Sequence, residues 1–385
     1  MISLHTDAMP FFRPGVREAI LKELDDTVVP TARVRKGLKK AERLETYRDE
    51  VAQYAQCRPE EVAFVSSATE ANVWAIRGVR FPGNSTPDHI LLSPLEHLSI
   101  LRSAEALSRE TSATIKWMPL TPRGEVDIEA LRKFWPSGRT LVSLQRVNTE
   151  TGLLQPLKEV AQLVREKGGI LHSDASGSHG WELPLFSNGG PDLISLSSAA
   201  TGGPAGVAAL IIRRGIRINP WLLGGAQEEG RRAGSQPVFL AAGFARALTH
   251  EKESLEEERK RLLNLDRTFL SSITNDHPDI TVVGREGHRR PGMINLLVPE
   301  VDGQALLSLL DREGVEVGTG ASCSAQSLTV SHVLTALGHP ARRAQGSIVL
   351  SLGWWNRESD LKPFLKALRK SREVLSRINV SGATA

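Results

Sequence analysis

The sequence is short of cysteine and of long apolar runs. Only two of its 385 residues are cysteine, Cys57 and Cys323, too few for a disulfide framework and without the spacing of a zinc site. No window approaches the roughly 18 uninterrupted apolar residues of a membrane span. The first residues also show no basic region followed by an apolar stretch. We therefore expect a cytoplasmic protein with no membrane association.

The chain has no large excess of one charge either. Its 48 Lys and Arg residues are balanced by 44 Asp and Glu residues, and the two signs are interspersed. The most basic run, Arg33 to Arg43, carries Leu38 and Ala41 at helical spacing. This pattern favours a solvated helix face over a phosphate-binding patch, so we expect no nucleic-acid partner.

The alternation of strand-like and helix-like patterns along the chain indicates the fold class. Short β-rich runs, from His89 to Ser93 through Val207 to Arg213, alternate with helical patterns in the first two thirds of the chain. Such alternation predicts an α/β fold with a mostly parallel sheet covered by helices. The run Thr249 to Ile273 then reads as one long amphipathic helix. We expect it to link the large domain to a smaller α+β domain.

Two polar motifs follow apolar runs. The segment Ser66 to Asn72 opens an apparent helix, so its hydroxyl and backbone N–H groups could hold a phosphate, although a serine before a glutamate is also an ordinary helix cap. Asp174 stands near the end of a buried-looking strand, where a carboxylate needs a cationic or hydrogen-bonding partner. It could pair with a cofactor ring nitrogen or complete a turn.

Two further side chains are candidates for chemistry. His97 follows another strand and could stack on a planar cofactor or pass protons, but a lone histidine is more often structural. Cys323 lies in a segment of small residues, Gly318 to Ala325, where a thiol would be accessible. This favours a reactive role for Cys323, whereas Cys57 is expected to fill space.

In order along the chain, these segments resemble the NifS/IscS group of cysteine desulfurases, which are class V, fold-type I pyridoxal-phosphate enzymes. The resemblance covers nearly the whole chain. The matching positions are Thr69–Asn72, Glu96–His97, Val147–Asn148, Glu150, Gly152, Gln155, His172, Asp174–Ala175, Asp192–Ser197, Gly203–Pro204, Gly206, Gly224–Gly225, Gln227–Glu228, Arg232, Gly234, Ser322–Ser324, Ser331–Leu334 and Ser351–Gly353.

The resemblance implies an architecture. It consists of a large fold-type I pyridoxal-phosphate-transferase domain with a mostly parallel seven-stranded sheet and a smaller α+β C-terminal domain, assembled as a homodimer. The implied boundaries are a segment 1–15 that belongs with the small domain, a large domain 16–250, a linking helix 251–275, and a small domain 276–385 that carries Cys323.

The resemblance also implies roles for individual residues. Thr69 and Ser197 would hold the cofactor phosphate, together with Ser235 from the second subunit, and Asn148 would contact the cofactor. Asp174 would pair with the pyridine nitrogen and His97 would stack on the ring. The cysteine matching Cys323 takes sulfur from substrate cysteine as a persulfide.

Several positions depart from the family pattern. The family's Schiff-base segment has a histidine and a lysine where this chain has Ala199 and Ala200, and no lysine lies anywhere between Lys167 and Lys252. Covalent attachment of pyridoxal phosphate and proton transfer at the substrate α-carbon ordinarily need that amine. The arginine that clamps the substrate carboxylate is replaced by Val349.

Two further departures lie beside the predicted cofactor site. The glutamine expected three residues after Asp174 is Gly177, and one of two paired asparagines is Thr149. These departures all affect predicted cofactor or substrate contacts, so a single altered residue does not account for them.

Three functions remain open on the sequence. In the first, the protein acts as a sulfur carrier in iron–sulfur cluster assembly with a scaffold or sulfur-acceptor partner, and Cys323 accepts a persulfide or ligates a shared cluster. In the second, it is an active desulfurase that holds pyridoxal phosphate non-covalently. In the third, it is a regulatory pseudoenzyme that binds a protein partner, with Cys323 incidental.

Overall fold

The computed structural model describes residues 1–5, 11–184, 186–187, 189–320 and 330–382. The strands in these residues are β1 (Ile2–Ser3), β2 (Val62–Val65), β3 (Val79–Arg80), β4 (His89–Leu92), β5 (Thr114–Trp117), β6 (Thr140–Ser143), β7 (Ile170–Asp174), β8 (Leu193–Ser197), β9 (Ala208–Ile212), β10 (Arg217–Ile218), β11 (Thr281–Val282), β12 (Met293–Leu297), β13 (Val315–Glu316) and β14 (Ser347–Ser351). The helices are α1 (Val16–Leu24), α2 (Arg35–Ala55), α3 (Ala68–Gly78), α4 (Leu98–Glu110), α5 (Ile128–Phe134), α6 (Leu157–Glu166), α7 (Val238–Asp276), α8 (Gly303–Arg312), α9 (His332–Ala336), α10 (Ala341–Ala344) and α11 (Leu361–Gly382).

The main sheet has seven strands in the order β2-β9-β8-β7-β6-β4-β5. Strands β4 to β8 pair in parallel, whereas β9 runs antiparallel to both of its neighbours, β2 and β8. The predicted α/β class with a mostly parallel seven-stranded sheet is therefore confirmed. Strands β6, β7 and β9 are buried along their whole length, as expected for a sheet covered by helices on both faces.

The longest helix begins earlier than its periodicity predicts. The amphipathic pattern indicated a start at Thr249, but α7 begins at Val238, directly after Pro237. Its first turns are apolar on nearly all sides because they pack between the sheet and helices α1 and α2, so they show no single apolar face to detect. The second half of α7, including Leu262 and Phe269, belongs to a different core cluster.

That second cluster surrounds a small antiparallel sheet of order β11-β12-β14, with α8 and α11 packed against it. The N-terminal strand β1 pairs in parallel with β13, so the first residues of the chain join this second cluster. The domain boundaries given above remain a prediction.

The basic run at the start of α2 is only partly solvated. Leu38 is exposed, but Lys40 is buried, where its ammonium forms an ion pair with Glu23 at 3.3 Å and donates to the Asp26 carbonyl at 2.6 Å. Part of this positive charge therefore holds α2 against α1. Among the described residues, no helix is both long and apolar enough to cross a membrane.

Candidate functional site

A cavity of about 1620 Å³ opens at the carboxyl ends of β4, β6, β7 and β8. Open α/β sheets place their ligand sites at this edge, because the loops that follow parallel strands converge there. The cavity brings together most of the positions selected from the sequence, namely Thr69, His97, Asn148, Asp174, Gly177, Ser197, Ala199, Ala200 and Val349.

Two predicted site residues are not part of this lining. Ser235 is exposed and does not line the cavity of its own chain. Cys323 lies outside the described residues, although Thr319 and Gly320 before that segment and Val330 after it line the cavity. The second cysteine, Cys57, packs against the core, and burial raises the pKa of its thiol to about 12, as expected for a cysteine that fills space.

Asp174 ends strand β7 with its carboxylate buried at the cavity wall. One carboxylate oxygen accepts from the Asn72 amide at 2.7 Å, and the other accepts from the Ser176 backbone N–H at 2.8 Å. Among the described residues Asp174 has no ion-pair partner, so only neutral donors compensate its charge. A buried carboxylate in this state suits a cationic ring nitrogen.

The amino end of α3 also faces the cavity, through Ser67, Ala68 and Thr69. The capping role is fulfilled by Ser67, whose hydroxyl accepts from the Glu70 backbone N–H at 3.1 Å. Glu70 pairs with Arg232 at 3.0 Å. Thr69 is not used as the cap, and the free N–H groups of the first helical turn make this end suitable for an anion.

His97 caps a helix and also lines the cavity. Its Nδ1 accepts from the Ser99 backbone N–H at 3.1 Å, which caps α4, while the ring lines the cavity. The Ser99 hydroxyl lies 2.7 Å from Nδ1 and also accepts from the Asn72 amide at 3.0 Å. A hydrogen-bonded chain thus joins His97 to Asp174 through Ser99 and Asn72, a link that the sequence did not predict.

Asn148 has its side chain committed to local structure. Its amide nitrogen donates to the Leu95 carbonyl at 3.0 Å, and its oxygen accepts from the backbone N–H groups of Glu150 and Thr151. This pattern holds the loop after β6 in its turn conformation. Its contact with a cofactor remains a prediction.

The cavity contains no amine. Ala199 and Ala200 begin a short 3₁₀ turn after β8, and the Ser197 hydroxyl accepts from the Ala200 N–H at 3.3 Å. None of the described lining residues is lysine, and the segments outside the described residues contain no lysine either. Among the described residues, no lysine therefore lies in the lining in place of Ala200.

Gly177 is required by the backbone around it. A Cβ built on Gly177 would lie 2.3 Å from the Val147 carbonyl oxygen. The family's glutamine would therefore not fit on this backbone. The loop after β7 follows a path that only a residue without a side chain allows at position 177.

Two buried glutamates in the cavity wall were not assigned a role from sequence. Burial raises the pKa of Glu96 to about 8, and this outweighs the Gln145 N–H that donates to the carboxylate at 2.7 Å. Burial likewise raises the pKa of Glu150 to about 7, although the Ser331 hydroxyl donates to it at 2.8 Å. Both were matched as family positions, but sequence alone does not reveal their burial.

A cluster of buried charges behind the cavity was also missed. Tyr54 donates to Glu251 at 2.9 Å, and His179 lies 3.4 Å from the same carboxylate. Burial disfavours the charge of Glu251, but the nearby His179 and Arg13 lower its pKa to about 2. His179 and Arg290 both line the cavity. These residues are far apart in sequence, so no local pattern could have grouped them.

Comparison with known proteins agrees with the geometry. The aminotransferase class-V family matches residues 15–364. The cysteine desulfurase IscS of Dictyoglomus turgidum is 33% identical over 336 residues, which cover 87% of this chain and 85% of that protein. A solved structure described as a NifS-like protein superimposes with a TM-score of 0.88 at 29% identity, covering 97% of this chain and 99% of the other. The NifS-like protein of Rickettsia africae gives a TM-score of 0.87 at 27% identity, with the same coverage.

Proposed function

This chain belongs to the aminotransferase class-V family, and we propose that it is a cysteine desulfurase-like protein that handles sulfur through Cys323 without conventional pyridoxal-phosphate turnover. The observation that carries the proposal is a cavity lined by the predicted binding residues, with no lysine among the described residues of its lining. The process in which it acts is sulfur mobilisation for iron–sulfur cluster assembly. This assignment is supported by the similarity to relatives named cysteine desulfurase.

The residues present fit pyridoxal phosphate held without a covalent bond. Asp174 offers a buried carboxylate that lacks a cation, which suits the ring nitrogen. Thr69 and Ser197, which would hold the phosphate, and His97, which would stack on the ring, all line the cavity. When bound, this cofactor supplies an electron sink at the substrate α-carbon.

Two positions in the cavity lack the functional groups that the family uses there. Ala200 has no group that could take a proton from the substrate, and Val349 cannot bind a carboxylate as a guanidinium does. Asp174 would still orient the ring, and the Asn72–Ser99 chain would hold His97 in place. These groups position a cofactor, but they do not replace the missing amine.

The proposed sulfur step needs no cofactor. The Cys323 thiolate attacks the terminal sulfur of a persulfide on a donor protein, and the donor leaves as a thiolate. One sulfur–sulfur bond forms and one breaks, so the transfer involves no net oxidation. The Cys323 persulfide then passes its sulfur to an acceptor or scaffold protein, or the thiolate ligates a shared cluster.

The proposed assembly is a homodimer. Ser235 is exposed on its own chain and lies outside the cavity lining, which supports its predicted place at the site of the second subunit. The proposed donor, acceptor and scaffold partners are proteins.

One observation favours a second candidate function. The retained cavity, with Asp174 and His97 in its wall, supports an active desulfurase that uses non-covalently held pyridoxal phosphate. In that function, sulfide or alanine release from cysteine depends on added cofactor.

The sulfur-carrier proposal is tested by loading the protein with sulfur. We expect the purified protein, incubated with a persulfide-bearing cysteine desulfurase, to gain the mass of one sulfur atom, located at Cys323 by peptide mass spectrometry. The Cys323→Ser variant should gain none, and Cys57→Ser should load normally. Equal loading of the protein and its Cys323→Ser variant would overturn the proposal.

A further inference from the structure

Three arginines line the cavity, and they differ in their partners. Arg77 pairs with Glu110 at 2.7 Å, and Arg102 pairs with Glu105 at 2.9 Å. Both of these side chains also reach solvent. The third, Arg290, is only 5% exposed and forms no ion pair with any described residue.

The hydrogen bonds of Arg290 are also incomplete. Its Nη1 donates to the Gly177 carbonyl at 3.4 Å, a long contact, and its buried Nε has no hydrogen-bond partner among the described residues. A guanidinium offers five N–H donors. A buried guanidinium without an ion-pair partner is unfavourable, so the surroundings of Arg290 suit an additional anion.

Two carboxylates near Arg290, those of Glu251 and Glu258, lie closer to other cations, although the Glu251 Oε2 has no hydrogen-bond partner among the described residues. Glu258 is held by Arg13, which donates to both of its oxygens. One oxygen of Glu251 accepts from Tyr54 and from the Gly180 N–H, and the other lies beside His179. Burial lowers the pKa of Arg290 to about 10, which still leaves the guanidinium charged at neutral pH.

We propose that Arg290 binds the α-carboxylate of an amino acid in this cavity. A carboxylate accepts two parallel N–H donors from a guanidinium, and Arg290 has an Nε without a partner among the described residues and an Nη1 with a long contact to Gly177. Val349, at the position of the family's carboxylate-binding arginine, lines the same cavity. Arg290 thus restores from another element an interaction lost at Val349. This binding goes beyond the sulfur-carrier role, which needs no small-molecule ligand.

The test compares two ligands and four proteins by isothermal titration calorimetry, without pyridoxal phosphate. L-Alanine carries the carboxylate and ethylamine lacks it. We expect the unmodified protein to bind L-alanine measurably and ethylamine about 10- to 100-fold more weakly, the range for loss of a charge-assisted pair. Arg290→Gln should lose the preference, Arg290→Lys should keep part of it, and Arg102→Gln should keep all of it.

The ligand comparison on the unmodified protein does not depend on whether a variant folds, and circular dichroism checks the folding of each variant. Equal affinity for the two ligands, no binding of L-alanine, or an unchanged preference in folded Arg290→Gln would each overturn the proposal. Competition by inorganic phosphate as strong as that by acetate would identify a general anion site and would likewise overturn it. Cys323→Ser should bind L-alanine normally, so this result and the sulfur-loading result can fail independently.

Discussion

The substitution Gly177→Ala tests whether the loop after β7 is built around a residue without a side chain. The added Cβ would lie 2.3 Å from the Val147 carbonyl oxygen and 3.1 Å from two further Val147 atoms. Ordinary contact begins at 3.4 Å, so the closest overlap exceeds 1 Å. The obstacle is backbone rather than a mobile side-chain end, and Val147 is tied to Leu154 by a β-bridge.

Because neither loop can yield without breaking contacts, we expect Gly177→Ala to lower the free energy of unfolding by about 1–3 kcal/mol, the usual cost of overpacking. Urea unfolding followed by circular dichroism measures this change at constant m-value. Gly225→Ala is the matched control, since its new Cβ would meet only the flexible end of Gln227. A Gly177→Ala protein as stable as its parent would refute the reasoning.

Three further changes follow from the buried charges. Glu96 has a folded pKa of about 8 against 4.5 unfolded, so the native state holds a proton that the unfolded chain has released between these values, and stability falls as pH rises through this window. Glu96→Gln should reduce this pH dependence of the free energy of unfolding, measured by urea unfolding at pH 5 to 8. Arg48→Ala should cost about 3–5 kcal/mol in the same assay, because it leaves Glu228 buried without the guanidinium that now contacts it at 2.6 Å. Asp174→Asn should weaken pyridoxal-phosphate binding at least about tenfold in an absorbance titration, because it removes the charge opposite the ring nitrogen.

Each of these three predictions would be contradicted by a specific result. If the free energy of unfolding of Glu96→Gln depends on pH as strongly as that of the unmodified protein, Glu96 is ionised in the native state. A loss below 1 kcal/mol in Arg48→Ala would mean that Glu228 finds water or another cation. Equal affinity of Asp174→Asn and the unmodified protein for pyridoxal phosphate would show that Asp174 does not contribute to cofactor binding.

The sequence predicted the sheet and singled out the strand-end residues Asp174 and His97, which line the cavity, because strand periodicity and strand-end motifs are local signals. It also predicted that Ala200 stands where the family has its lysine, and Ala200 lines the cavity. The early start of α7 was missed because a helix buried on nearly all sides has no apolar stripe. Arg290 and its unpaired donors could not be foreseen, because burial and the absence of an ion-pair partner depend on residues distant in sequence.

The central claim is that this chain has a desulfurase fold and cavity without conventional turnover. The most direct measurement is alanine release from L-cysteine with added pyridoxal phosphate, run in parallel on the unmodified protein, Cys323→Ser and Ala200→Lys. Borohydride reduction followed by mass spectrometry reports covalently retained cofactor. We predict no alanine above the Cys323→Ser background and no retained cofactor in the unmodified protein, with retained cofactor in Ala200→Lys. Alanine release by the unmodified protein that requires both pyridoxal phosphate and Cys323 would contradict the account and establish an active desulfurase.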